Sequence, residues 1–576
     1  MTSSNHKRNA LLCAFFVGAC LLAALPFAEM GFIDDWSYIK TAQVFASTGH
    51  FVYNGWTAAM LGWQIPVAAF FIKLFGFSFT IARLSTLPAY MASAYLFYLI
   101  LVRFGINAGN ATFGTLLLLL SPVVLPLAFS FMSDVPGLFV VLLCVYLCQN
   151  AIAARTAAAT IAWLCLAAAT NVIGGSVRQI AWLGALAVIP GTAWLLRKRR
   201  GVLLAAAVFL VVSLISVLAM LHWFGKQPYT IGERLIKPHT TIHEWRHLAD
   251  QFIRLILVVF FLLLPLSLAW LVGMMRRGKF AILRLLVYTA IWCAIYLVLF
   301  RHGTLRVWYL PWLPHVIESL GVADPAIPEM LGPRTLILGV PCKLALSLLT
   351  GISSFVLVDW LIAALWIRRS ALPQDRDGQW TNILWLLGPL FVCYVLLLLP
   401  RALYIIMFDR YAIELVAIAT VVLLKLYQEN IARRLPAISV LALLTFSIFT
   451  IAATHDWFSL YRARVKATND LTDSGIPRTA IQGGFDYDGW TEIEASGFIN
   501  DSRIKIPANA YHEVVSPTDL AAECNYWFSD WTPSIHPKYF VVRNQLDCLD
   551  DTSYPAVSYR TWLPPFRRYI YIKQKK

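Results

Sequence analysis

The sequence predicts an all-α polytopic membrane protein of about 13 transmembrane helices, followed by a small C-terminal soluble domain, α/β or mostly β. Three observations carry this. Of 576 residues, 59% are hydrophobic and only 14% charged, where a soluble core of this length would carry about a quarter charged residues. Apolar windows long enough to cross a bilayer recur along the first 454 residues. From His455 onward the apolar runs shorten, and Gly, Asp, Asn, Pro and aromatic residues rise.

The first span runs from Ala10 to Ala28, with Lys7 and Arg8 before it. Positive charge ahead of a span sends its far end out of the cytoplasm. Leu25-Pro26-Phe27-Ala28 is a poor cleavage site and more spans follow, so this is a retained helix rather than a signal peptide. Further windows centre near Tyr95, Leu119, Leu142, Leu166, Leu186, Leu210, Phe260, Ile291, Phe355, Leu390, Ala419 and Leu444. Alternating their direction places Arg197-Lys198-Arg199-Arg200, Arg276-Arg277-Gly278-Lys279, Arg368-Arg369 and Arg433-Arg434 all on the inside. The formal charge is +16, yet residues 455–576 hold 14 Lys and Arg against 15 Asp and Glu. The excess therefore sits in the membrane part, as an orientation signal. A nucleic-acid surface would spread its cations over a soluble face with aromatic platforms between them, so nucleic acid is not an expected partner.

Residues 1–454 are thus expected to form the membrane domain. Residues 29–79 would be a long first outer loop, whose stretches Ser37 to Thr48 and Ile65 to Phe75 suit helices lying along the interface. Residues 455–576 would form an extracytoplasmic domain with strands at Tyr539 to Val542 and Tyr569 to Ile572. Cys524 and Cys548 fall in it and either pair or stay free, since spacing alone does not establish a bridge. The other cysteines lie in or beside apolar spans and read as small hydrophobes.

Two acid positions stand at the outer boundary. Asp34-Asp35 follows the first span, where adjacent carboxylates repel each other and resist desolvation. One caps the next helix, or one serves as a general base, or both hold, with one Asp capping while the other faces a cavity. Asp134, in Ser133-Asp134-Val135-Pro136, either caps the fourth span or joins the first pair in one cavity. Arg83, Arg178 and Arg410 also fall near the outer boundary, against the inside bias. Each either snorkels or pairs locally, and as a set they suit an anionic ligand, because guanidinium binds phosphate oxygens in bidentate fashion. His239, His243 and His247, four apart beside Glu244, have metal-ligand spacing on a helix. Pro238 and Thr240-Thr241 weaken that helix, and they read as surface or interface histidines. No Walker loop, nucleophile elbow or nucleotide-binding glycine fingerprint occurs.

These motifs together resemble the GT-C superfamily of membrane glycosyltransferases that use lipid-linked sugars. The resemblance is to the branch holding the lipid A aminoarabinose transferases and the protein O-mannosyltransferases. It rests on Asp34-Asp35-Trp36-Ser37-Tyr38 after the first span, on Pro66 with Leu74-Phe75-Gly76-Phe77 and Ala82-Arg83-Leu84, and on Ser133-Asp134-Val135-Pro136. Arg178-Gln179 and Asp409-Arg410-Tyr411 look similar with less specificity. The match covers the first 180 residues well and the rest by layout.

The resemblance implies a GT-C-like fold in an inner (plasma) membrane, with the active site and C-terminal domain on the periplasmic or extracytoplasmic side. It implies inverting transfer of a sugar from a polyprenyl-phosphate donor to a hydroxyl of a glycolipid, polysaccharide or protein. Asp34, Asp35 and Asp134 would be the catalytic acids, and Arg83, Arg178 and Arg410 would bind the donor phosphate. Tyr38, Gln64 and Tyr411 would line the acceptor or sugar pocket. Gln64-Ile65-Pro66 stands where the family often has Lys-Pro-Pro, which shifts the phosphate burden to those arginines or to Lys226 or Lys237. No metal site is assigned, although paired carboxylates permit a divalent ion. The rival class, a transporter or lipid flippase, predicts charges at mid-span depth and discontinuous helices in paired halves.

Overall fold

Helix follows helix from the N-terminus because apolar runs of span length alternate with short polar breaks, and the structure, a computed structural model, keeps that order. It describes residues 4–56, 58–232, 241–276, 279–404, 406–514 and 524–576, except residues 371–377. The helices are α1 (Ser4–Ala23), α2 (Asp35–Thr48), α3 (Gln64–Phe75), α4 (Phe79–Leu84), α5 (Leu87–Arg103), α6 (Ala108–Leu119) and α7 (Val124–Ala128). There follow α8 (Asp134–Ala153), α9 (Ala157–Gly175), α10 (Ile189–Leu195), α11 (Val202–Gly225), α12 (Ile242–Leu262) and α13 (Leu264–Met275). The last are α14 (Lys279–Arg301), α15 (Val340–Ser370), α16 (Gln379–Tyr404), α17 (Ile413–Asn430), α18 (Ala437–Asp473) and α19 (Phe485–Ser496).

Among the described residues ten helices are long and apolar enough to cross a membrane, or eleven if α12 and α13, bent by 78° at Leu263, count as one span. The count of 13 expected from the sequence is not reached by continuous helices. The segment around Leu119 stops after the 12 residues of α6, where Pro122 and Pro126 remove backbone donors. The segment around Leu186 is broken into a 3₁₀ turn, a π turn and the short α10, which holds Pro190 in its first turn. The expected interfacial stretches are helices α2 and α3. α18 runs unbroken for 37 residues through His455, so one helix carries the chain from the membrane part into the tail.

Caps are read from local sequence. Ser78 accepts from the Ile81 amide at 3.0 Å, and Glu29 takes the Phe79 amide at 2.9 Å, so two side chains satisfy the start of α4. Thr241 and Glu244 form a reciprocal capping box at the start of α12. His243 and His247 therefore do lie on a helix; His247 Nδ1 sits 2.9 Å from the Ala402 carbonyl oxygen. His239 and Lys237 lie outside the described residues.

The tail carries β1 (Ile481–Gln482), β2 (Tyr539–Val542), β3 (Leu549–Asp551), β4 (Val557–Arg560) and β5 (Arg567–Lys575). The order is β1-β2-β5-β3, with β4 also on β5; β1 and β2 are parallel, the other pairs antiparallel. Both strands expected from the sequence are present, and they pair with each other, Val541 opposite Ile572. Cys524 and Cys548 are joined by a disulfide.

The bundle has a polar end and a basic end. α1 and α8 run in opposite senses, so the C-terminal end of α1 and the start of α8 at Asp134 both meet the tail side. Arg462 on α18 donates to the Leu25 carbonyl at 2.7 Å just past α1. At the other end Arg199 donates to the Ala154 carbonyl beyond α8 at 2.8 Å, and the Arg433 carbonyl accepts from Asn107 at 2.6 Å.

One buried ion pair ties the polar end together. Arg83 of α4 holds Asp35 through Nε at 2.7 Å and Nη2 at 3.0 Å, and donates to the carbonyls of Ala28 and Met30 at 2.9 and 2.6 Å. Asp35 also accepts from the amides of Phe32 and Phe131 at 2.7 and 3.1 Å. Both side chains are fully buried. A charge left alone there is costly, so Asp35→Ala is expected to lower unfolding stability by about 3–5 kcal/mol; thermal and denaturant melts in detergent check it, and a loss below about 1 kcal/mol contradicts it.

Candidate active site

The acids and arginines singled out in the sequence do converge, in two layers. The inner layer is the Asp35–Arg83 pair, closed off from any cavity. The outer layer faces a cavity of about 880 Å³ whose wall includes Asp34, Tyr38, Trp56, His315, Glu318, Glu329, Arg401 and Arg410. That volume lies within the range of small-ligand sites.

Asp34 occupies the N-cap position of α2 but makes no capping bond from its side chain. Its carboxylate instead accepts from the Trp56 indole at 3.1 Å. Successive residues at a helix start point about 100° apart, so Asp35 turns into the bundle while Asp34 turns to the cavity. Burial lifts the Asp34 carboxyl above its ordinary range, against the pull of Arg410 and the Trp56 hydrogen bond. A carboxylate so tuned is a stronger base than an exposed one.

Behind the wall, Asp134 is 1% exposed and bridges two arginines, with Arg178 in contact at Oδ1 and Arg410 at 3.6 Å from Oδ2. Arg410 alone of the three expected arginines lines the cavity. Its Nε is buried and has no hydrogen-bond partner, a donor left over for a ligand. Arg178 sits at the second rank, its guanidinium 5.8 Å from the Tyr411 ring, which Arg401 approaches at 4.9 Å. Gln64 is buried and donates to the Phe131 carbonyl at 3.0 Å, so it braces the segment before Asp134 and does not reach the cavity. Lys226 caps α11 at an exposed position. Arg83, expected to bind phosphate, and Asp35, expected to act in catalysis, are both fully buried and bonded to each other and to backbone groups, so neither lines the cavity.

The far walls come from residues that the sequence reading passed over. The loop after α14 brings His315, at φ 116°, a conformation disfavoured for a side-chain-bearing residue and a mark of functional strain. Burial, then Arg410, holds its imidazole well below the usual range, so it is neutral. The loop is fastened to the start of α17 by Asp409, which accepts from the Ile317 amide at 2.6 Å. Glu329 accepts from the Tyr461 hydroxyl at 2.8 Å. The only acids in residues 301–342 are Glu318, Asp324 and Glu329, and that scarcity was the available signal.

The tail supplies an aromatic wall. Trp56 packs 5.0 Å from Phe485 and 4.8 Å from Trp531, and Trp527 lies 4.9 Å from Phe485. Gly489 is required where α19 meets Trp36, since a Cβ there would come within 2.8 Å of the indole. Flat aromatic faces opposite cationic and acidic groups suit a sugar, which offers C–H faces and hydroxyl edges. Asp34 and Asp35 diverge, so the pair does not form a joint metal site, and among the described residues no group of three His, Cys, Asp or Glu gathers.

Comparison with solved structures finds likeness at low identity. ArnT from Cupriavidus metallidurans in the apo state matches with 13% identity over 83% of this chain and 83% of that chain, at a TM-score of 0.36. The same protein bound to undecaprenyl phosphate matches to the same extent. The S. cerevisiae protein O-mannosyltransferase Pmt1-Pmt2 complex bound to the sugar donor matches with 14% identity and a TM-score of 0.33, covering 39% of this chain and 34% of that chain. This chain therefore spans about a third of that relative's length. Both are of the two groups whose motifs the sequence resembles. No protein-family profile and no curated protein sequence matches the chain.

Glu318 gives the site a pH signature. Its carboxyl is pushed up to about 8 by burial, against hydrogen bonds from the Ala326 and His315 amides. In an unfolded chain a glutamate titrates near 4.3. Between those values the folded protein holds a proton that the unfolded chain has released, so stability falls as pH rises from about 4.3 to about 8. Melts of the native protein and Glu318→Gln across pH 5–8 are expected to diverge, the native curve declining more steeply; parallel curves contradict the assignment.

Proposed function

We propose that this chain is a membrane glycosyltransferase that moves a sugar from a polyprenyl-phosphate donor to a hydroxyl acceptor outside the cytoplasm. The observation that carries the reading is that Asp34 and Arg410 line one cavity: a poised carboxylate and a guanidinium with an unmet donor, at the polar end of a helical bundle. A polyprenyl chain needs an apolar path from the bilayer, and the phosphate at its head needs positive charge where its own charge develops.

In this reading Asp34 takes the proton of the acceptor hydroxyl as the oxygen attacks C1 of the sugar. The new O–C1 bond forms on the face opposite the C1–O bond to phosphate. The electrons of the breaking bond pass to the phosphate oxygen, leaving polyprenyl phosphate and inverting C1. Arg410 meets that oxygen, with Arg401 near it, while Asp134 and Arg178 hold Arg410 in place. Tyr38 and the aromatic wall orient sugar and acceptor. An inner or plasma membrane setting with the cavity outside is supported by Arg199 and Arg433, members of two of the basic clusters, which lie at the opposite end of the bundle. A transporter would set its charges at mid-span; Asp34, Asp134, Arg178 and Arg410 all lie at or just beyond helix ends.

Transfer assays with defined polyprenyl-phosphate sugars test this. Asp34→Asn is expected to lower kcat by about 10²–10⁴-fold while the melt stays native-like, and Arg410→Gln by about 10²–10³-fold. Turnover of Asp34→Asn equal to that of the native chain removes Asp34 as the base.

A further inference from the structure

A second concentration of positive charge lies outside the candidate active site, where the tail sheet meets the loop before α15. Arg334, Arg543 at the end of β2, and Arg567 and Arg568 at the start of β5 surround a cavity of about 180 Å³, with Asn544 and Tyr559 beside them. That is room enough for several waters or a small anion. The Nε atoms of Arg334, Arg543 and Arg568 are each buried without a hydrogen-bond partner. Buried donors left unmet cost free energy, and like charges so placed add repulsion. Among the described residues one carboxylate lines this space, that of Asp456. It is already engaged by the amides of Trp562 and Leu563 at 2.6 and 3.0 Å and by His455 Nδ1 at 2.9 Å. Burial, then the charge of Arg543, brings Arg334 down to about 10, and burial also lowers Arg543. The fold thus gathers four guanidinium groups at one cavity against the single, already engaged carboxylate of Asp456, with Glu329 offsetting part of the charge at Arg334 and Arg543.

Its position in the molecule narrows the ligand. The β4–β5 hairpin is fastened to α18 by the Ser459 hydroxyl, which donates to the Arg560 carbonyl at 2.8 Å, and by the Trp562 ring stacked 4.0 Å from His455. Two turns further along α18, Arg462 caps the chain leaving α1. The hairpin tip therefore stands within about two helical turns, or about 11 Å along α18, of the point where the chain leaves α1. There Trp562, Phe566 and Tyr569 are 45, 60 and 44% exposed. Exposed aromatic rings beside arginines at that depth are the composition of a membrane-interface anchor.

We infer that this arginine-lined cavity is a phosphate site distinct from the candidate active site, and that it takes the headgroup phosphate of a membrane lipid while Trp562 and Phe566 seat the hairpin in the interface. Arginine forks match phosphate oxygens, and bound anion would supply the hydrogen bonds that the three Nε atoms lack. The lipid would fasten the tail to the bilayer and so steady the aromatic wall that the tail lends to the larger cavity.

The test is thermal unfolding of the full chain in a neutral detergent, titrated with dioleoyl phosphatidic acid, with dioleoyl phosphatidylcholine and with inorganic phosphate. Ligand that binds only the folded state raises Tm saturably. Phosphatidic acid is expected to do so at concentrations at least ten-fold below those needed for inorganic phosphate, and phosphatidylcholine to act weakly. The double variant Arg334→Gln with Arg543→Gln is expected to lose the phosphatidic acid shift by ten-fold or more, with Arg568→Gln showing a smaller loss should the double variant not fold. Phe566→Ser is expected to weaken the lipid response and leave that to inorganic phosphate. The proposal is overturned by the absence of a saturable shift in the native protein, or by an undiminished one in both arginine variants. A response to inorganic phosphate without one to phosphatidic acid overturns the lipid assignment. None of these variants touches Asp34 or Arg410, so a failed transfer assay and a failed titration are separate results.

Discussion

The polar end of this bundle depends on the ion pair between Asp35 and Arg83. With both side chains fully buried, the pair must satisfy itself, and it does so with carbonyls of the first loop and an amide of the segment before α8. Four stretches of chain distant in sequence are thereby held at one point: the loop after α1, the start of α2, α4 and residues 130–132. A buried ion pair is a weak source of net stability, because desolvation offsets the attraction. What it does impose is geometry. With Asp35 fixed inward, helical rotation leaves Asp34 facing the cavity.

A second set of charges repeats the device one layer out. Asp134 at the head of α8 holds Arg178 and Arg410, and this contact positions Arg410 at the cavity, where its charge also acts on the Asp34 carboxylate. Arg410 and Arg401 on the cavity wall are the positive charges that an anionic leaving group would meet. The walls around it come from separate parts of the chain: the strained loop at His315, the first loop at Trp56, and α19 with Trp527 and Trp531 from the tail. The tail is thus part of the cavity, and α18 passes from membrane to tail without a break to set its position.

Much of the fold was legible in the sequence because it is local. Span-length apolar runs, the positive clusters at their ends and the alternating strands at Tyr539 and Tyr569 are each decided within about twenty residues. The segments around Leu119 and Leu186 have the composition of spans, and hydropathy windows overlook what divides them: Pro122 just past α6, and the passage from 3₁₀ to π to α geometry between Gln179 and Leu195. The site was legible in part. Asp34, Asp134 and Arg410 stood out as charges at the boundary of apolar segments. What could not be read was pairing across long separations: that Arg83 belongs to Asp35, 48 residues away, that Gln64 serves the backbone at Phe131, and that Glu318, Glu329 and three tail aromatics complete the wall. A motif of two adjacent acids also does not say which is structural; only the direction of each side chain does.

The central claim is that residue 34 opens into a chamber on the extracytoplasmic face that a polyprenyl phosphate can fill. The direct measurement is labelling of Asp34→Cys with a membrane-impermeant maleimide, with the exposed Cys165, Cys293 and Cys342 changed to Ser, in right-side-out and inverted vesicles. The account expects labelling in right-side-out vesicles only, and loss of that labelling when polyprenyl phosphate is added. Labelling confined to inverted vesicles, or labelling that polyprenyl phosphate leaves untouched, contradicts it.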